Sequence, residues 1–263
     1  FVNQAIDYIK RIWLDLGFKE MQGPLLETSF WNFDALFQPQ DHPAREMQDT
    51  FFVKGTRTLP PKELVQRVKK THENGWTTGS TGWGYEWSER IAKQLVLRTH
   101  TTSLSARILS TLKQTDIPAK YFSVAKCFRK ETIDWKHGFD FNQVEGIVVD
   151  EDMNFRHLLG YLKEYYHKLG FDKIRFKPGY FPYTEMSVIS EYYSKEKKEW
   201  VGFGGAGIFR PEVTKPLLGH DIPVLAWGQG MERNIMDYYK IKDFRNLYTN
   251  DLKQLKEIKM WIK

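Results

Sequence analysis

Tyr121-Phe122-Ser123-Val124-Ala125-Lys126-Cys127-Phe128 and Phe141-Asn142-Gln143-Val144-Glu145-Gly146-Ile147-Val148-Val149 flank Arg129-Lys130-Glu131 and a polar loop from Thr132 to Asp140 that contains His137. Both flanks read as strands, and the second returns along the first when the connection is a hairpin. Period two then places Phe141, Gln143, Glu145 and Ile147 on one face. Two polar residues on an otherwise apolar strand face demand an explanation. If the first strand continues past Phe128, Arg129 and Glu131 also share a face, so a guanidinium, two carboxylates, an amide and an aromatic converge. A guanidinium matches phosphate oxygens bidentately, a carboxylate accepts from an ammonium or an adenine amine, and an aromatic face stacks on a purine. A solvated cross-strand salt bridge fits the same spacing.

Outward from this hairpin the pattern alternates helices and strands. Val2, Ala5, Ile6, Ile9, Ile12, Trp13 and Leu16 recur at helical spacing before Gly17. Gly23-Pro24 breaks regular structure, Leu25-Leu26 reads as an entry strand, and the aromatic-rich run from Phe30 to Phe37 reads as a buried helix. Residues 54–87 carry Pro60-Pro61, a basic stretch through Lys70 and four spaced glycines, the composition of an insertion or mobile loop. Thr101 and Thr102 precede Leu104, Ile108, Leu109 and Leu112, so their hydroxyls are N-cap candidates. Phe155, Leu158, Leu159, Leu162, Tyr165 and Leu169 form an amphipathic helix ended by Gly170, and a strand at Val224 to Trp227 leads into a helix from about Met231. The expected class is α+β, a mainly antiparallel β-sheet flanked by α-helices.

The chain has 263 residues, 41% hydrophobic, 15% aromatic and 27% charged, which excludes a disordered, collagen-like or low-complexity chain. No apolar run approaches the roughly 20 residues that cross a bilayer, and no signal peptide opens the chain, so a soluble, intracellular protein is expected. The one cysteine, Cys127, excludes a disulfide framework or a multi-cysteine zinc site within the chain. A net charge of +6 suits polyanionic ligands without requiring them. The chain opens at Phe1, already inside a helical pattern, and a preceding N-terminal region is expected.

Other constellations have two readings each. Ala226-Trp227-Gly228-Gln229-Gly230-Met231-Glu232-Arg233 is a strand, two glycines and a helix start. It is either a structural turn or a place where backbone approaches an anion, and Arg233 in the first turn opposes the macrodipole unless a phosphate partners it. Gly202 to Gly207 is a platform for a flat ligand or a bulged corner. Arg98-Thr99-His100-Thr101-Thr102 is an ordinary cap or a cluster of polar ligand contacts, and Phe181-Pro182-Tyr183 is core packing or an aromatic pocket wall.

The order of these blocks resembles class II aminoacyl-tRNA synthetases. Arg-x-Glu in a strand–loop–strand, followed about 100 residues later by Gly-x-Gly-x-x-Arg opening a helix, is similar to their motifs two and three, and Gly23-Pro24 to motif one. The finer resemblance is to the phenylalanyl-tRNA synthetase α-subunit family of archaeal and eukaryotic cytosolic type. It rests on the run from His42 to Phe52, on Leu97-Arg98-Thr99-His100-Thr101-Thr102, on Phe141 to Gly146, and on Phe209-Arg210-Pro211-Glu212.

That resemblance implies a single catalytic domain over 1–263 that activates phenylalanine with ATP and Mg²⁺ and transfers it to the terminal adenosine of tRNA(Phe). It further implies a cytoplasmic α₂β₂ assembly with a β-subunit, and nothing in the sequence resembles the family's N-terminal tRNA-binding extension. By motif, Arg129 holds the α-phosphate and substrate carboxylate, Arg233 the γ-phosphate, Glu131 and Phe141 the adenine, and His137 the polyphosphate. His100, Thr102, Gln143 and Glu145 surround the amino acid's polar end, Phe181 and Tyr183 its ring, and Ala226 and Gly228 form the floor. Gly202 stands where the family has a Glu associated with Mg²⁺, Met186 replaces the usual proline, and Asn142 a His or Tyr, so the metal ligands stay unassigned. Other class II specificities, such as phosphoserine or pyrrolysine, share the core, although Phe181, Tyr183 and Ala226 offer no cationic donors to a phosphate. A non-catalytic paralogue that binds tRNA or a partner protein is the contrasting possibility.

Overall fold

The alternation between Ala119 and Val149 closes into the central hairpin of a large sheet. The computed structural model describes residues 1–41, 45, 50–135 and 138–259. Among them the strands are β1 (Lys19–Glu20), β2 (Leu26–Thr28), β3 (Phe52–Thr56), β4 (Gln94–Leu97), β5 (Ala119–Phe128), β6 (Asp140–Val149), β7 (Ile174–Pro178), β8 (Thr184–Ser194), β9 (Glu199–Phe209) and β10 (Val224–Gly230). The larger sheet runs β1-β5-β6-β10-β9-β8-β7 and the smaller β2-β4-β3. Every neighbouring pair is antiparallel except β1 with β5. The expected α+β architecture, with a mainly antiparallel sheet between helices, is what forms.

Period two divides the apolar residues of the sheet between two cores. Phe122, Val124, Val144, Val148, Leu225 and Trp227 face the helices Val2–Asp15 and Phe155–Leu169. Trp13 anchors this side, stacked on Tyr165 at 4.5 Å and on Trp227 at 5.0 Å between ring centroids. Both helices are followed by the expected glycines in left-handed geometry, Gly17 at φ +79° and Gly170 at φ +91°. On the opposite face Ile147, Val149, Val224 and Ala226 pack with the Phe30–Phe37 aromatics and the helices Lys62–Asn74, Thr102–Leu109 and Pro211–Leu218. That cover is partial, and the uncovered stretch of this face becomes the site.

Four expectations change in detail. The stretch 54–87, read as an insertion or loop, contains the helix Lys62–Asn74, whose Leu64, Val65 and Val68 are buried. Lys62 and Lys70 lie on the exposed side of an amphipathic helix, so composition hid it. The Thr101 and Thr102 hydroxyls do not cap their helix, which has no side-chain cap; they turn to Glu145 instead. Strand β5 ends at Phe128, with backbone pairing reaching one residue further through Arg129 N–H to the Phe139 carbonyl at 2.9 Å, so Glu131 lies beyond it. The glycine run after Trp200 is continuous strand β9 with a register shift opposite Ser190 and Glu191, combining the platform and bulge readings.

Candidate active site

Glu145 organises one end of the site. Strand β6 carries it outward beside Gln143, and β10 sets Gly228 directly opposite it. The first turn of the helix Thr102–Leu109 sits above, and one-turn spacing aims three hydroxyls at the same carboxylate. Glu145 Oε2 accepts from Thr101 Oγ1 at 3.3 Å, Thr102 Oγ1 at 3.2 Å and Gln143 Nε2 at 2.9 Å, while Oε1 accepts from Ser105 Oγ at 2.9 Å. Burial nevertheless dominates and pushes the carboxyl up to about 7, against the lowering effect of these bonds. His100 lies in the same wall, buried, with neither ring nitrogen hydrogen-bonded. Burial first, and then the Arg129 and Arg98 charges, push it down to about 3, so it is a neutral imidazole near neutrality.

Two of the cavity's glycines leave no room for a side chain. A Cβ at Gly228 would fall 2.5 Å from Gln143 Nε2 and 3.0 Å from Glu145 Oε2, and one at Gly205 only 2.1 Å from Phe181 Cζ. Ala226 is buried between Ile147 and Gly207 in the sheet. Phe181 and Tyr183, in the connection from β7 to β8, stand at 6.2 Å between centroids and 24° between planes. The pair is a pocket wall.

The other end is cationic and aromatic. The Arg129 guanidinium lies 4.9 Å from the centroid of Phe141, and its buried Nε has no hydrogen-bond partner. Arg233, in the first turn of the helix Glu232–Tyr239, is exposed. Both ends belong to one cavity of about 1390 Å³, lined by His100, Thr102, Arg129, Glu131, Phe141, Gln143, Glu145, Phe181, Tyr183, Ala226, Gly228 and Arg233. Every candidate site residue therefore converges there except His137, which lies outside the described residues. A site for one small ligand typically occupies roughly 300–1,000 Å³, so this one has room for more than one.

The whole of this architecture, residues 1–258, matches the family described as tRNA synthetases class II core domain (F). The chain belongs to that family. Among curated members, the Phenylalanine--tRNA ligase alpha subunit of Methanopyrus kandleri is 53% identical over 260 residues, 98% of this chain and 49% of that one. Its namesake in Methanothermobacter thermautotrophicus is 55% identical over 253 residues, 95% of this chain and 48% of that one. The Methanocaldococcus jannaschii protein of the same name is 47% identical over 260 residues, covering 98% and 52%. The chain thus spans about half the length of the curated relatives it matches. No helix among the described residues is long and apolar enough to cross a membrane.

Ser105 and Glu232 escaped the sequence reading, and Thr101 entered it only as a cap candidate or as part of the run from Arg98 to Thr102. Thr101 and Ser105 complete the Glu145 cradle, and the one-turn spacing of Ser105 from Thr101 and Thr102 was the available signal. Glu232 is buried next to Arg233 and also lines the cavity. Its neighbour's charge drew attention instead.

Proposed function

We propose that this chain is the catalytic region of a phenylalanine–tRNA ligase α-subunit, which activates phenylalanine with ATP and transfers it to the 3′-terminal adenosine of tRNA(Phe). The observation that carries this reading is the Glu145 cradle, a carboxylate held by four side-chain donors, in one cavity with an aromatic wall and an Arg–Phe platform. The names of its relatives, found at about half identity over nearly the whole chain, support phenylalanine as the substrate and a β-subunit as partner. An α₂β₂ assembly in the cytoplasm completes the proposal.

Ionised Glu145 and the carbonyl oxygen of Gln143 accept from the substrate ammonium, with His100 and Thr102 beside them. Phe181 and Tyr183 flank the ring over Ala226 and Gly228. The substrate carboxylate oxygen then attacks the α-phosphorus, its bond to phosphorus forms as the bond to pyrophosphate breaks, and pyrophosphate leaves. Both reactants are anionic, so alignment and charge neutralisation are the protein's tasks. Arg129 serves the α-phosphate and substrate carboxylate, Arg233 the γ-phosphate, and Phe141 stacks on adenine whose amine Glu131 accepts. His137 completes the polyphosphate contacts. In the second half-reaction the ribose hydroxyl of the terminal adenosine attacks the acyl carbon and AMP departs.

Magnesium would arrive bound to the phosphates of ATP, as part of that substrate. Among the described residues no group of three His, Cys, Asp or Glu side chains could hold a metal ion, and Gly202 lines the cavity without a side chain. The described residues thus form no protein cage for it.

The test is amino-acid-dependent ATP–pyrophosphate exchange with all twenty amino acids, using the full-length chain with its β-subunit. Exchange confined to phenylalanine is the expected result. Silence with every amino acid, from a folded complex that still binds tRNA, would replace this reading with a non-catalytic paralogue.

A further inference from the structure

A buried clasp ties the two nucleotide-handling elements to a segment near the end of the chain. Glu232 Oε1 accepts three hydrogen bonds, from the Asn142 backbone N–H at 2.7 Å, Asn142 Nδ2 at 2.8 Å and the Tyr248 hydroxyl at 2.7 Å. Met231 N–H donates to the Asn142 carbonyl at 2.9 Å, so strand β6 and the Glu232–Tyr239 helix are joined by backbone as well. Asn142 follows Phe141 and Glu232 precedes Arg233. The clasp therefore fixes the separation between the aromatic platform and the exposed cation.

The same late segment reaches the β5–β6 loop. Phe244 N–H donates to the Trp135 carbonyl at 2.9 Å, and a Cβ at Gly138 would lie 2.4 Å from Phe244 Cε1. Lys126 of β5 sits 4.9 Å from the Tyr248 ring centroid and pairs with Asp140 at the start of β6. Phe244 thus meets Trp135 and Gly138 at the cavity wall, where all three line it with Glu232, while Tyr248 braces the two strands from outside that lining. None of these contacts touches the Glu145 end, so the device is polarised toward one half of the site.

We infer that Tyr248 and Glu232 are positioning residues for ATP: acting through Asn142 and the Glu232–Arg233 step, they hold Arg233 in register with the Phe141–Arg129 platform. This rests on the reading of the cavity given under Proposed function. The carboxylate acts here as a fixed acceptor, and a glutamine carbonyl at the same place can take over its three bonds. Geometry at this position is thus separable from charge. Loss of the Tyr248 hydroxyl removes one donor of the clasp and loosens the nucleotide half alone.

The experiment uses the full-length chain with its β-subunit and compares Tyr248→Phe, Glu232→Ala and Glu232→Gln by ATP–pyrophosphate exchange. Tyr248→Phe is expected to raise KM for ATP about five- to tenfold, the upper part of the net worth of one ordinary hydrogen bond, because the hydroxyl acts on ATP only through the clasp. KM for phenylalanine should stay within about twofold in the same variant, because no clasp contact reaches Glu145. Glu232→Ala should raise KM for ATP further, and Glu232→Gln should restore most of it. Unchanged KM for ATP in Tyr248→Phe, or equal rises for both substrates, overturns the inference while wild-type exchange keeps the functional reading intact. A wild type that neither exchanges nor binds ATP in a direct titration overturns both. Should Glu232→Ala fail to fold, Tyr248→Phe and Glu232→Gln decide alone.

Discussion

The Glu145 carboxyl makes phenylalanine binding pH-dependent in a way that can be worked through. Burial raises it to about 7 in the empty cavity, from an ordinary 4.5. An ammonium ligand requires the ionised form, so apparent affinity scales with the ionised fraction, roughly 0.1 at pH 6 and 0.9 at pH 8. Affinity should therefore rise about tenfold between those pH values, with about half a proton released per phenylalanine bound at pH 7. His100, at about 3, stays neutral throughout and leaves the profile to Glu145. Glu145→Gln should flatten the profile and weaken binding by roughly ten- to a hundredfold, the worth of a hydrogen bond between charged partners.

The same group makes a stability prediction of defined sign. A folded-state carboxyl raised above its unfolded value binds more protons in the native protein, so stability falls as pH rises from about 4.5 to 7. Above that window the penalty is at most about 3.5 kcal/mol, since each tenfold change in proton affinity between the folded and unfolded chain is worth roughly 1.4 kcal/mol. Glu145→Gln removes it, so the variant should melt above the wild type at pH 8, with the difference gone near pH 4.5. Buried Asp34 also titrates in this range, raised to about 6, but it is common to both proteins and cancels. Calorimetric titration in buffers of different ionisation enthalpy reads the binding side. Flat wild-type affinity from pH 6 to 8, or an undiminished slope in Glu145→Gln, would refute the reasoning.

Four further outcomes follow from the site. Arg129→Ala should abolish adenylate formation in pyrophosphate exchange while circular dichroism stays native; near-normal turnover removes the central assignment. In Gly228→Ala the new Cβ meets Gln143 and Glu145 at 2.5 and 3.0 Å, so kcat/KM for phenylalanine should fall about ten- to a hundredfold with KM for ATP little changed. Ala226→Gly should admit para-substituted phenylalanines in the same assay, and an unchanged substrate range would place the floor elsewhere. At Gly202 an added Cβ meets nothing within 4 Å, so Gly202→Glu should unfold within about 0.5 kcal/mol of wild type and lower the Mg²⁺ needed for half-maximal exchange; a wild-type Mg²⁺ profile would show that a carboxylate there gains no metal contact.

How much of this was legible depends on whether a residue's partners are near it in sequence. The β5–β6 hairpin was readable because pleat period and a short connection are local, and Gln143 and Glu145 stood out because polar residues on that face contradict its apolar character. The helix Lys62–Asn74 was not, since its buried Leu64, Val65 and Val68 are few among lysines and nearby glycines make the stretch look like loop. The parallel pairing of β1 with β5 joins Lys19 to Tyr121, a relation no local pattern encodes.

The same distinction governs the chemistry. Thr101, Thr102 and Ser105 carry a helix-start pattern that propensity assigns to capping, and the structure spends those hydroxyls on a carboxylate 40 or more residues away. Leaving Glu145 unpaired in the core would cost more than leaving a helix N-terminus to other donors, so tertiary satisfaction overrides the local preference. Glu232 follows the same logic, with Asn142 90 residues distant and Tyr248 16 residues on. Buried carboxylates flanked by hydroxyl and amide residues therefore point to partners that the fold brings in, and at both ends of this cavity those partners fix the geometry that a ligand meets.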